Sequence, residues 1–500
     1  MAGGGAAAIL PEVRALLRLA GPIMIGTMLA FLMNLVDIAM VGSLGAEELA
    51  AAALGNTYFN ALQHPMVGCS LALDTFLAQS FGAGQLQAYG RWTQTGILVL
   101  LALCVPVAVL LALTEPILLS LGQDELLSAR AGEFCMYLIP SIAPFFTFMC
   151  LTKYLQAQRI LAPSVYIGVA ANIFNGFANW ICIYKLDLGF RGAPVATTIS
   201  RWAQFFALLA YVCITKWKHP TMPSCRIDGK PSDVCSRTVQ FLHLGIPGAL
   251  MLGLEAWSFE ITTFMAAYLG TISVDAHAIL LNIIGFTYMS LPFGLGIAAS
   301  IRVGHLLGAG ETQAAKTASK AVFFLIVGFM ISLSVLKIAL ADYLALPFTD
   351  DEEVGQKVAS LVFVACLFQV SDGVQAAIGG VMRGMGHQRT VAAMNFVGFW
   401  VIGVSLGAIL TFPVDMGVAG LWWGLAAGLT CTALLGAVII LRTNWSVETE
   451  AAQQRVGAKK PSSTEEDAPK DLAEIVAPTC GGDAEKLQDT SSVAEKVQVV

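Results

Sequence analysis

Charge is scarce in this sequence. Asp, Glu, Lys and Arg supply 12% of its 500 residues, about half their usual share in soluble domains. The shortage is sharper than the average suggests, because 18 of the 62 charged residues fall between Arg442 and Val500. The first 441 residues are then about 10% charged, too few to cover soluble cores of that size. Basic runs dense enough for nucleic acid are missing as well, and a net charge of −6 names no partner. The 11 cysteines include no CxxC pair and lie mostly in apolar runs, as small hydrophobes do. No metal site is expected from them. GxxxxGK[ST], HExxH and GxSxG are all absent, so the chain is not expected to be an enzyme, to hydrolyse ATP or to carry a cofactor. No apolar core precedes the first long run, and Glu12, Arg14 and Arg18 lie before it. A cleavable signal peptide is therefore not expected, and the first span would direct its own targeting.

What the chain has in abundance is hydrophobic length, with 56% of its residues apolar. A bilayer core of about 30 Å needs roughly 20 apolar residues per helix. Twelve such runs are present, near 19–41, 56–80, 93–113, 131–152, 163–184, 192–214, 244–268, 276–301, 318–340, 358–381, 391–412 and 415–441. Backbone groups in lipid are satisfied only by helices or closed barrels, and runs without two-residue alternation exclude the barrel. The fold class expected is all-α: a polytopic membrane protein of twelve transmembrane helices.

Lys and Arg divide unevenly between the two sides. One side takes Arg14, Arg18, Arg91, Lys153, Arg159, the loop from Lys216 to Arg237, Arg302, Lys316, Lys320, Arg383 and Arg389. The other has Arg130, Lys185, Arg191 and Lys357. Basic residues stay inside, so both termini are expected to be cytoplasmic.

The longest loop divides the helices six and six, and the halves repeat. LGAEELAAAAL from Leu44 resembles LGTISVDAHAI from Leu269, and Phe81-Gly82-Ala83-Gly84 matches Leu307-Gly308-Ala309-Gly310. Gln156-Ala157-Gln158 falls opposite Arg383-Gly384-Met385, and Gly189 to Gly192 opposite Gly417 to Gly420. The offset stays at 225–228 throughout. Six helices per repeat is an even number, so the halves are parallel and related by a pseudo-two-fold axis along the membrane normal. Substrate then belongs between them, near the midplane. The expected parts are an N-terminal cytoplasmic segment 1–18, an N-lobe 19–214, a linker 215–243, a C-lobe 244–441 and a disordered cytoplasmic tail 442–500, polar and poor in aromatics.

An ionisable residue inside a membrane helix is a functional candidate by default, because holding it there is costly. Asp37, Glu255, Glu260 and Asp372 stand well inside spans, and Asp74 lies nearer a span's end. Asn34 shares a face with Asp37, and Asn172, Asn175 and Asn179 form an amide stripe at helical spacing. Gln369 and Gln375 flank Asp372 at i−3 and i+3. Acids with amide neighbours and no adjacent cation suit cations, or protons exchanging with cations. Trp257, Phe259, Phe286, Tyr288 and Phe368 lie close in sequence and offer ring faces to a bulky cation. Lys337 is expected to snorkel outward from its helix end, and Arg201 has no evident partner in the sequence.

Several stretches together, MVGSLGAEELAAAAL, LALDTFLAQSFGAG, LEAWSFEI, IAASIRVGHLLGAG and GGVMRGMGHQR, resemble the multidrug and toxic compound extrusion (MATE) family, the last three its eukaryotic branch most closely. The resemblance runs from about Pro22 to Trp445. It implies two six-helix bundles in a V, exporting organic cations and drugs against H⁺ or Na⁺. Asp37 falls on the family's helix 1 acid, implicated in proton coupling. Glu255 and Glu260 fall on its helix 7 acids, and Asp372 on its helix 10 acid, which pairs with Glu255 at the cation site. Asn282 stands where mammalian members carry a further acid on helix 8, so one negative charge is missing from the C-lobe.

The function expected is a secondary active antiporter, working as a monomer in the plasma membrane or an endomembrane such as the vacuole. Its partners would be a small organic cation or metabolite, the coupling ion and the lipid bilayer. A lipid-linked oligosaccharide flippase of the same superfamily would need a basic cavity, and a non-transporting scaffold would not need paired internal acids.

Overall fold

A computed structural model describes residues 3–216, 219–222 and 230–458. Among them there is no strand, and the long apolar runs have become helices. In chain order these are α1 (Gly3–Gly42), α2 (Ala46–Gly82), α3 (Leu86–Ala112), α4 (Glu125–Ala157), α5 (Ala162–Lys185) and α6 (Gly189–Thr215) in the first half. The second half has α7 (Pro231–Ala267), α8 (Thr271–Gly308), α9 (Thr312–Ala339), α10 (Glu352–Met385), α11 (Gln388–Thr411) and α12 (Val418–Arg442). A shorter helix, α13 (Trp445–Arg455), follows.

Eleven of these are long and apolar enough to cross a membrane. The twelfth, α2, is equally long but more polar. The reason is its position: Gly68 to Ser80 are buried without interruption, so Ser70, Asp74, Thr75, Gln79 and Ser80 face protein rather than lipid. The second half of α8, its repeat mate, is buried from Gly294 onward except at Arg302, which is part-exposed and paired with Glu12. Proline falls at corresponding places in both central helices, Pro65 inside the continuous α2 and Pro292 in α8. At Pro292 α8 breaks, because proline supplies no N–H and clashes with the preceding turn.

The sequence repeat is also a repeat of backbone conformation. Gly45 and Gly270, Gly84 and Gly310, and Gly189 and Gly417 all have positive φ. Gly84 and Gly310 follow α2 and α8, where the left-handed turn suits a residue without Cβ. The two halves meet through pseudo-symmetric close approaches. A Cβ at Gly82 would lie 2.1 Å from the His305 carbonyl oxygen, and one at Gly308 would lie 2.2 Å from the Gln79 carbonyl oxygen. Each glycine therefore touches the repeat mate of the residue that touches the other. Gly68 and Gly248 bring α2 against α7, where a Cβ on Gly68 would stand 2.1 Å from the Gly248 oxygen. Small residues let membrane helices approach in this way, since lipid gives no hydrophobic drive between them.

Hydrogen bonds knit the same end. Gln79 Nε2 donates to the Gly384 carbonyl at 2.8 Å, and its mate His305 meets the Ala157 carbonyl through Nε2 at 2.7 Å. Thr75 donates to the Arg383 carbonyl at 2.6 Å, and Gln388 to Thr75 at 2.7 Å. Contacts between the halves continue along the seam to Trp257, which donates to the Ala61 carbonyl, and to Phe31 against Phe286.

Three expected boundaries shift. The N-terminal segment is continuous with α1 rather than separate from it. The expected linker is helical from Pro231, which sits at the first turn of α7 where its missing N–H costs nothing. The expected disordered tail begins with an ordered helix, α13, because Trp445 and Ala452 are buried against the second half. Residues 459–500 of that tail lie outside the described residues.

Candidate functional site

Two polar sites lie inside the helices, one in each half. In the first, Asp37 on α1 is 7% exposed. Asn179 Nδ2 on α5 donates to its Oδ1 at 2.7 Å, and Thr197 Oγ1 on α6 donates to its Oδ2 at 2.7 Å. Asn175 Oδ1 accepts from Asn179 at 3.1 Å, so the second amide orients the first. α5 passes into a π turn at Ile181 directly after this face, a feature frequent at functional sites. Asn172 is turned to its own helix, donating to the Gly168 carbonyl at 2.9 Å, and Asn34 is exposed. The amide stripe therefore reaches Asp37 through Asn175 and Asn179 only.

Arg201, one turn beyond Thr197, gains an account that the sequence lacked. It donates to Ser141 Oγ at 2.9 Å and stacks on Phe59 and Phe145, 5.2 and 4.8 Å from the ring centroids. Its charge also acts on Asp37. Aromatic faces and one hydroxyl thus hold a guanidinium inside the bundle, with Asp37 as its electrostatic counterpart.

In the second half Asp372 on α10 is 6% exposed. Its charge acts on Glu255 of α7, and both act on Tyr288 of α8, just before the break in that helix. Neither carboxylate makes a hydrogen bond to a described residue. What fixes them is the surrounding polar frame. Gln375 donates to Asn395 Oδ1 at 2.7 Å, Asn395 donates to the Met251 carbonyl at 3.1 Å, and Trp400 donates to the Leu254 carbonyl at 2.9 Å. Three side chains on α10 and α11 thereby hold the turn of α7 that carries Glu255. Phe259 and Phe368 meet edge to face at 6.0 Å and form an apolar wall with Phe399 and Trp422. Glu260 is half-buried and stands apart from the pair. Asn282 is exposed and donates to the Ala278 carbonyl of its own helix at 2.9 Å.

The interior is less uniformly acidic than the sequence suggests. Arg383 is 7% exposed, and its charge reaches Glu255, Tyr288 and Asp74. Lys153 and Asp74 form an ion pair at 2.6 Å with both side chains buried. Lys337 does not snorkel outward. It turns inward, donating to Thr287 Oγ1 at 2.6 Å and to Gln369 Oε1, because two buried acceptors from α8 and α10 meet its ammonium there. Asn395, Thr197, Arg383 and the Lys153–Asp74 pair are long-range partners with no local periodicity to mark them. Only the rarity of charge inside an apolar run could have pointed to Arg383 and Lys153.

The MatE family model matches residues 22–181 and 247–409, one segment in each half. Multidrug and toxin extrusion protein 2 of Mus musculus is 35% identical over 457 residues, covering 90% of this chain and 79% of the relative. Multidrug and toxin extrusion protein 1 of Homo sapiens is 32% identical over 449 residues, covering 90% and 78%. The crystal structure of the eukaryotic MATE transporter AtDTX14 superposes with a TM-score of 0.85 at 28% identity, covering 90% of this chain and 100% of that one. With both halves matched and the twelve-helix, two-bundle architecture shared, the chain belongs to the MatE family of multidrug and toxic compound extrusion transporters.

Proposed function

We propose that the chain is a secondary active antiporter that exports organic cations, drugs or metabolites in exchange for H⁺ or Na⁺. One observation carries the reading: Glu255 on α7 and Asp372 on α10 are near enough to act on one another's charge, and neither makes a hydrogen bond to a described residue. Two carboxylates facing one space repel, which favours a shared proton or a visiting cation. An organic cation displaces the proton, and a returning proton displaces the cation. Asp37 is a second coupling site, held by the neutral donors Asn179 and Thr197, with Asn175 behind them and Asn34 and Asn172 at its margin. Gln369 and Gln375 stand one turn either side of Asp372, bonded to Lys337 and Asn395, while Glu260 and Asn282 lie apart from the second-bundle pair and are secondary candidates for substrate contact.

The end sealed by Gly82, Gly308 and α13 carries the basic residues and is cytoplasmic on this reading, as are both termini. The form described is then closed to the cytoplasm. Binding shifts the bundles between outward-open and inward-open arrangements by differential affinity. The protein acts as a monomer in the plasma membrane or an endomembrane.

Proteoliposomes loaded with an organic cation test this. Efflux should follow an imposed H⁺ or Na⁺ gradient and collapse when that gradient is dissipated. Efflux indifferent to both gradients would contradict antiport.

A further inference from the structure

α13 is built to dock. Trp445, Thr449, Ala452 and Val456 recur at helical spacing and are all buried. Asn444 caps the helix, its Oδ1 accepting from the Ser446 N–H at 3.2 Å. Most of its partners belong to the second bundle: Thr449 meets Thr312 at 2.9 Å, and Glu448 meets His387 Nε2 at 2.8 Å. The exception is at the last residue. Arg455 Nη1 donates to Gln79 Oε1 on α2 of the first bundle at 2.8 Å, and to the Met385 carbonyl of the second at 3.2 Å. Gly386 makes the slot for this guanidinium. Its φ is +88°, and a Cβ there would lie 2.7 Å from Arg455 Cζ.

Gln79 is consequently held at both ends of its amide. Its Nε2 is bonded to the Gly384 carbonyl and its Oε1 to Arg455. The pseudo-symmetric position is held less fully. His305 Nε2 meets the Ala157 carbonyl, while its Nδ1 has no partner among the described residues. The two-fold relation of the seam is therefore broken by one arginine, supplied from outside the twelve spanning helices.

We propose that α13 is a clasp across the cytoplasmic end of the transporter, and that Arg455 is a positioning residue that favours the cytoplasm-closed form by tying Gln79 to the second bundle. The proposal rests on the alternating-access reading above. Opening this end separates Gln79 from Gly384 and Arg455 together. A half-buried guanidinium then loses its side-chain acceptor, and the closed form is favoured by that difference.

The test is a distance measured in the full chain, reconstituted in nanodiscs without substrate. Gln87 and Gln313 are exposed repeat mates at the sealed end. Spin labels at Gln87→Cys and Gln313→Cys, with the other accessible cysteines replaced, report opening there. Arg455→Ala should raise the long-distance fraction roughly tenfold, the scale of one charged hydrogen bond. Arg455→Lys keeps the charge but loses the planar guanidinium fork, and should raise it only roughly two- to threefold. A wild-type distribution in Arg455→Ala, or a shift toward shorter distance, overturns the proposal. If Arg455→Ala does not fold, Arg455→Lys decides: a raised long fraction supports the clasp and a wild-type distribution rejects it. Cation transport by the unsubstituted chain is scored separately. Its absence under both gradients would sink the antiport reading and leave the distance result to judge the clasp.

Discussion

A carboxylate is kept inside a bilayer only where something positive visits it or stays beside it. Glu255 has both kinds of neighbour, Arg383 as a resident charge and Asp372 as a competitor for protons. Glu255→Gln preserves size and removes the titratable charge. It should lower gradient-driven export by roughly 10- to 100-fold, the scale of a charge-assisted contact of about 1.5–3 kcal/mol. Surface abundance and the melting temperature should stay near wild type, and normal transport at normal abundance would make Glu255 structural. Asp372→Asn should lose substrate-induced proton release, read in weak buffer on adding an organic cation. If that variant binds normally and still releases protons, coupling lies at Asp37 instead. Lys337 supplies a contrasting case. Its ammonium is buried against two neutral acceptors, an arrangement that stabilises little. Lys337→Met should leave the melting temperature unchanged or raised. A clear fall in melting temperature would show that the ammonium's bonds outweigh its desolvation.

Among the helices, length and hydropathy made the spans legible, because lipid leaves the backbone one solution for each run. The expected 163–184 run became Ala162–Lys185, and 318–340 became Thr312–Ala339. That Asp37, Asp372 and Glu255 lie inside the helices was legible for the same reason, since charge inside such a run is rare. What stayed hidden depends on partners far away in the chain. α13 reads as polar tail because its apolar face is only Trp445, Ala452 and Val456, and what makes it a helix here is the surface it docks on. Lys337 lies near a helix end, where outward snorkelling is the local solution. Thr287 and Gln369, 50 and 32 residues away, override it. Orientation of the helices is open to direct test. A membrane-impermeant maleimide applied from outside should label a cysteine placed at Asp350 or Glu353, both exposed between α9 and the body of α10, and should not reach one at Lys230. The reverse pattern would invert every helix.

At the scale of the whole molecule, the repeat gives the two bundles a matched pair of glycine contacts along one seam. Gly82 rests on the His305 carbonyl, and Gly308 on the Gln79 carbonyl. Because backbone oxygen is met in both cases, neither clash can be relieved by turning a side chain. Gly82→Ala and Gly308→Ala should each force the bundles apart at this end and shift the population toward the cytoplasm-open form. The two substitutions should act to a similar degree, since the contacts are pseudo-symmetric. Their combination should give less than the sum, because opening the seam for one methyl already makes room for the other, which is the signature of coupled sites. The spacing between labels at Gln87 and Gln313 measures all three variants. Fully additive shifts would mean that the two contacts yield locally and independently. An effect confined to one glycine would mean that the seam is hinged on one bundle rather than shared by both.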